Sequence, residues 1–294
     1  AVFTLAAAAM RGFRRGLDDR GFTEIQSPKL VETATEGGAN VFAVSYFDRM
    51  AYLAQSPQLY KQIMVGVFER VYEVGPVFRA EPHATARHIN QYTSLDVELG
   101  FIESHADVMR LLVEVLRVMF AELATCEAEL ALLGAKLPVI PEHVPEIFFT
   151  EAQPNAAEPD LSPEDERRIG AWAEREHGSE LVFVTGYPMV KRPFYTHPDP
   201  ERPAHSRSFD LLFRGTELVT GGQRLHRHAD YLAAIEARGM SRAPLEAYMT
   251  AFANGMPPHG GFAIGLERLL MQLLGLPNIR LAVLFPRDLN RLAP

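Results

Sequence analysis

Residues 93–101, TSLDVELGF, alternate without a break, so that Leu95, Val97, Leu99 and Phe101 fall on one side of a strand and Ser94, Asp96, Glu98 and Gly100 on the other. Two carboxylates thereby share one face, and the apolar face needs a cover. The longest helical stripe of the chain follows at once, with Val108, Leu111, Leu112, Val115, Leu116, Met119, Phe120 and Leu123 inside 106–133. Further strands are predicted at 51–53, 70–74, 181–185, 208–213, 216–220 and 281–285. Helices are predicted at 4–20, 58–68, 229–238, 245–253 and 266–275. Strands that adjoin without regular crossover helices imply an α+β fold built on a mainly antiparallel sheet of six to seven strands flanked by helices. Residues 137–180, rich in Pro, Glu and Ala at 138–163, read as an insertion or surface connection within one domain spanning 1–294.

The formal charge of −8 argues against a general nucleic-acid coat, so a nucleic-acid partner must be met locally. The lone Cys126 leaves no intrachain disulfide and no zinc cluster, which points to a reducing compartment and hence the cytoplasm. No apolar run approaches the roughly 20 residues that span a bilayer, so no membrane partner is expected.

Two segments carry chemistry. GPVFRAEPHATARH, residues 75–88, sets Arg79, Glu81, Arg87 and His88 around a turn that can present several cations to one polyphosphate; by itself it reads equally well as a charged hairpin. GGFAIGLERLLMQLLG, residues 260–275, sends glycines into a helix that starts with Glu267 and Arg268. There Gly265 allows close backbone approach and Arg268 offers a planar fork suited to phosphate; the bland alternative is a solvent-facing ion pair. His226 and His228 in RLHRH are a weak metal signal without a third ligand and fit better in or beside a substrate pocket.

FRAE through RH resembles motif 2 of the class II aminoacyl-tRNA synthetases, GLERLL their motif 3, and FTEIQSPKL, with Pro28, their motif 1. TATEGGANVFAV, QSPQLYKQ, SFDLLFRGTELVTGGQRLHRH, GMPPHGG and LFPRDLNRLAP narrow the likeness to aspartyl-tRNA synthetases of the archaeal type, over nearly the whole chain.

The resemblance implies an enzyme that makes aspartyl-adenylate from aspartate and ATP, with Mg2+, and passes the aspartyl group to the acceptor end of tRNA. It implies Arg79 on the α-phosphate, with Arg87, His88 and Arg268 on the outer phosphates, Glu81 and Tyr92 on adenine, and Gly265 beside the nucleotide. Glu217, helped by Thr220 and near Asp210, is implied as the Mg2+ ligand. Arg79, Arg268 and Glu217 are the catalytic set. Lys61 and Arg224 are implied to grip the substrate's side-chain carboxylate, while Glu36, Gln58 and Asp96 surround its ammonium. An asparagine side chain is expected to leave those two cations poorly compensated.

Motif 1 around Pro28 further implies a homodimer. The family's N-terminal anticodon-binding β-barrel has no counterpart in these 294 residues. Two other readings stay open: a relative that makes asparagine from aspartate, ATP and ammonia without tRNA, and a non-catalytic amino-acid or nucleotide sensor.

Overall fold

The computed structural model describes residues 1–32, 40–82, 85–153, 155 and 158–293. The chain opens with α1 (Val2–Asp18), whose apolar stripe of Leu5, Ala9, Phe13 and Leu17 is wholly buried. Short strands β1 (Thr23–Glu24) and β2 (Leu30–Val31) lead to the hairpin β3 (Ala43–Tyr46) and β4 (Arg49–Leu53), then α2 (Gln58–Phe68). Next come β5 (Arg70–Phe78) and β6 (Gln91–Gly100), paired antiparallel along their length.

The helical stripe after β6 becomes two helices, α3 (His105–Ala124) and α4 (Glu127–Leu133), parted at Thr125–Cys126. Ser104 and Asp107 close a reciprocal capping box at the start of α3. Cys126 is buried at the break with a free thiol.

Residues 146–177, inside the stretch read as an insertion or connection, form β7 (Glu146–Phe148), α5 (Phe149–Ala152) and α6 (Pro163–His177). Phe149, Ala152, Ile169 and Ala173 pack there on Val182, Val184 and Leu212, giving that end of the sheet its own cover. The chain continues through β8 (Leu181–Thr185), β9 (Ser208–Phe213), β10 (Thr216–Gln223), α7 (His228–Ala237), α8 (Glu246–Ala253), β11 (His259–Gly265) and α9 (Leu266–Leu274).

The main sheet runs β1-β5-β6-β11-β10-β9-β8-β7. It has eight strands among the described residues, against the six or seven expected. The six inner strands are antiparallel, while β1 and β7, of two and three residues, add parallel edges. Leu95, Val97, Leu99, Leu211, Phe262 and Ile264 join α1, α3 and α9 in one core, so the polar faces of these strands are turned to the opposite side. That division is what the alternation in β6 dictates.

Two sequence expectations fail. Phe101 does not continue the apolar face of β6; it is 68% exposed, in a left-handed turn after the strand ends. Residues 281–285 form no strand: a 3-10 turn, Ile279–Ala282, occupies part of them. That segment spends its N–H groups locally, Leu281 donating to the Asn278 carbonyl at 3.0 Å and Val283 to that of Arg280 at 3.4 Å, rather than on a ladder.

Candidate active site

A cavity of about 340 Å3 opens on the polar face of β6. It is lined by Gln58, Lys61, Arg79, Glu81, Arg87, His88, Tyr92, Asp96, Glu217, Thr220, Arg224, Gly265 and Arg268. These thirteen residues come from α2, the 79–90 loop, β6, β10 and the residue after it, β11 and α9, so only the folded sheet assembles them. Glu36 lies outside the described residues.

One end is a buried charge cluster. Lys61 Nζ is 2.9 Å from Asp96 Oδ1 and 3.4 Å from Glu98 Oε2, and Arg224 Nε donates to Glu98 Oε1 at 3.0 Å. Arg224 Nη2 also donates to the Gly261 carbonyl at 3.1 Å. Burial acts to raise the Glu98 carboxyl, but Arg224 and Lys61 beside it outweigh that and hold it below its ordinary range. Glu98 was not among the residues selected from sequence. Its place opposite Gly261 explains the glycine: a Cβ there would lie 2.1 Å from Glu98 Oε2.

Lys61 and Arg224 already face Asp96 and Glu98 within the protein, so the four side chains make a preformed cluster of two cations and two carboxylates.

Behind this cluster His259 is fully buried, its Nδ1 against the Pro257 carbonyl at 2.9 Å and its Nε2 against Gln62 Nε2 at 3.0 Å. Gln62 in turn bonds Tyr231 and Tyr248. Burial pushes His259 down to about 4 from 6.5, so it is neutral at pH 7. The unfolded chain binds this proton near pH 6.5 and the folded chain only near 4, so stability is complete above 6.5 and falls as pH drops. The expected loss by pH 4 is about 3 kcal/mol from this group. Denaturant unfolding of the native protein and of His259→Gln across pH 7 to 4 checks it; equal slopes for the two would refute the assignment.

The other end is cationic. The Arg79 guanidinium stands 5.7 Å from the centre of the Tyr92 ring. Its peptide is pinned on both sides, N–H to the Asn90 carbonyl at 2.9 Å and C=O from Asn90 Nδ2 at 2.7 Å. Thr85 Oγ1 meets His88 Nδ1 at 2.6 Å, and His88 Nε2 lies 3.7 Å from Glu81. The C-terminal segment fastens this loop, with Arg280 Nη1 donating to Thr85 O at 3.0 Å and Asn90 N–H to Arg287 O at 2.7 Å.

Arg268 at this end adjoins a group of acidic residues. Arg268 Nη1 donates to the Glu217 carbonyl at 3.1 Å and is 3.5 Å from its carboxylate, which accepts from Thr220 Oγ1 at 3.2 Å. Arg192, not anticipated, pairs with Asp210 at 3.1 Å. Burial and then the Asp210 carboxylate raise the Glu217 carboxyl above its ordinary range. Glu267 makes no pair with Arg268; it is buried and accepts the Thr93 N–H at 2.9 Å, joining α9 to β6. At Gly265 an added Cβ would meet Arg268 and Tyr92 at ordinary contact distances of 3.8 and 3.9 Å.

His226 is not part of the cavity lining: it stacks on His197 with ring centres 6.4 Å apart. His228 begins α7. Among the described residues no group of three or more His, Cys, Asp or Glu could hold a metal by itself. No helix among them is long and apolar enough to cross a membrane.

Residues 1–289 match the family of class II tRNA synthetases (D, K and N). The Aspartate--tRNA(Asp/Asn) ligase of Thermus thermophilus is 53% identical over 305 residues, covering the whole chain and 71% of that protein. Its namesake from Deinococcus radiodurans is 49% identical over 311 residues, with the same coverage. A crystal structure of asparaginyl-tRNA synthetase from Pyrococcus horikoshii, complexed with asparaginyl-adenylate, superposes with a TM-score of 0.92 at 31% identity, covering 100% of this chain and 69% of that one.

Proposed function

Since the chain belongs to the class II tRNA synthetases (D, K and N), we propose that its 294 residues are the catalytic domain of an aspartate-tRNA ligase, which joins aspartate to the adenylyl group of ATP with release of pyrophosphate and then transfers it to tRNA. The observation that carries this is a single cavity with a paired Lys–Asp–Glu–Arg cluster at one end and Arg79, Arg87, His88 and Arg268 at the other. A dicarboxylic amino acid fits the first and a triphosphate the second.

In the first step an α-carboxylate oxygen of aspartate attacks the α-phosphorus of ATP, a P–O bond forms, and the bond to pyrophosphate breaks. No protein nucleophile is required. Arg79 neutralises charge building on the α-phosphate, Arg87, His88 and Arg268 take the outer phosphates, and Glu81 and Tyr92 hold adenine. Asp96 and Gln58 receive the ammonium, with Glu36 as a further partner, and Arg224 with Lys61 orients the side-chain carboxylate. In the second step a hydroxyl at the 3' end of tRNA attacks the aspartyl carbonyl and AMP departs.

Glu217, Thr220 and Asp210 offer hard oxygen donors, and the crowding of Glu217 by Asp210 is of the kind a divalent cation relieves. We assign Glu217, with help from Thr220, to hold Mg2+, which when bound offsets phosphate charge. Exposed Leu30, Phe47, Met50, Leu284 and Phe285 support a homodimer formed around motif 1 and Pro28. The unpaired thiol of Cys126 supports the cytoplasm. The two Asp/Asn-type relatives support acceptance of both tRNA-Asp and tRNA-Asn.

Exchange of labelled pyrophosphate into ATP tests the reading. It is expected with aspartate and to be far weaker with asparagine, followed by transfer to tRNA but not to ammonia. Absence of exchange would sink the enzyme assignment, and asparagine formation from ammonia would replace the acceptor.

A further inference from the structure

The strand that carries Glu217 is irregular at that residue. In the pairing of β10 with β9, Glu217 stands opposite Leu212 and Val219 opposite Leu211, so Leu218 is an extra residue. The peptide of Glu217 is gripped from two directions. Its carbonyl accepts from Arg268 Nη1 at 3.1 Å, and its N–H donates to Glu166 Oε2 at 3.1 Å. Glu166 lies in the first turn of α6, in the stretch that reads from sequence as a connection. The same oxygen is 3.7 Å from Arg87 Nη1, and the Glu166 side chain is only 12% exposed.

The approach of α6 is built in. Gly170 lies against Gly215 in the turn between β9 and β10, where an added Cβ would come within 2.6 Å of the Gly215 Cα. Gly215, with φ of +69°, has Arg167 Cα 3.1 Å from its own Cβ position. Two glycines thus let helix and turn meet backbone to backbone, one turn of helix away from Glu166.

We propose that Glu166 is a positioning residue for the nucleotide site: by accepting the Glu217 N–H next to the strand irregularity, it fixes Glu217 toward the phosphates. This rests on the ATP-dependent activity proposed above. It assigns α6 a part in the reaction beyond covering the sheet.

The test compares native protein, Glu166→Ala, Glu166→Gln and Gly170→Ala in aspartate-dependent pyrophosphate exchange, with melting temperatures measured alongside. Glu166→Ala is expected to raise KM for ATP about tenfold, the scale of one charge-assisted hydrogen bond, and to leave KM for aspartate within about twofold. Glu166→Gln keeps an oxygen for the Glu217 N–H and is expected to recover most of the loss. Gly170→Ala pushes α6 off the turn without removing the carboxylate and is expected to raise KM for ATP in the same sense; it carries the test if Glu166→Ala does not fold. An unchanged KM for ATP in the folded variants, an equal rise in both KM values, or no recovery in Glu166→Gln overturns the proposal. A native protein that exchanges no pyrophosphate overturns the activity itself, and this inference with it.

Discussion

Arg79→Ala is expected to lower aspartate-dependent exchange of pyrophosphate into ATP by about 10^3-fold, through kcat rather than KM for aspartate. The side chain lines the cavity just beyond the end of β5, and both hydrogen bonds that pin its peptide use Arg79's own backbone atoms. Alanine keeps those bonds, so the loop and its neighbours Arg87 and His88 should stay where they are. What is removed is a preorganised cation whose charge matters most when the α-phosphate is crowded by an incoming carboxylate. Arg79→Lys should recover only part of the loss, because an ammonium offers a point charge in place of a planar fork. Exchange within threefold of native after Arg79→Ala would show that the α-phosphate contact belongs elsewhere.

Lys61→Met carries the second large effect, on stability as well as activity. The ammonium is 1% exposed and touches both Asp96 and Glu98. Methionine fills a similar volume but leaves two buried carboxylates with Arg224, which bonds Glu98, as the one remaining cation of that four-charge cluster. Breaking one member of a buried ion cluster typically costs about 3–5 kcal/mol. A melting temperature near native would mean that the cluster is better hydrated than its burial implies. The double variant Lys61→Met with Asp96→Asn restores the charge balance and is expected to regain most of the stability. Aspartate-dependent exchange should stay absent in it, because both substrate-facing groups have gone. Stability and activity returning together would remove Lys61 from substrate recognition.

Regular elements with strong internal periodicity were open to reading from residues alone. α2, β8 and β9 begin and end where apolar spacing and breakers put them, at 58–68, 181–185 and 208–213. Several elements escaped, among them the central strand β11 and the helix α6, which buries only Ile169 and Ala173, too little for a stripe to register. Its start was nevertheless written in Ser162-Pro163-Glu164-Asp165, a capping box with proline at the first helical position. Residues 281–285 misled in the other direction, since Leu281, Leu284 and Phe285 have the composition of a strand but more than half their surface exposed. Within the cavity, the family resemblance supplied residues one at a time. It could not supply partners such as Glu98 for Arg224, Arg192 for Asp210 or Glu166 for the Glu217 amide, because each pair joins segments far apart in sequence.

The extra residue in β10 has a further meaning for how such a site tolerates change. In an even pleat, positions three apart look in opposite directions, so Glu217 and Thr220 could not meet; the inserted Leu218 resets the parity and brings carboxylate and hydroxyl onto one side. Spacing here is therefore a chemical requirement in its own right. Swapping Leu218 for another apolar residue alters chiefly packing, whereas shortening the strand by that one position would turn the acid away from Thr220 even though every named functional residue was still present.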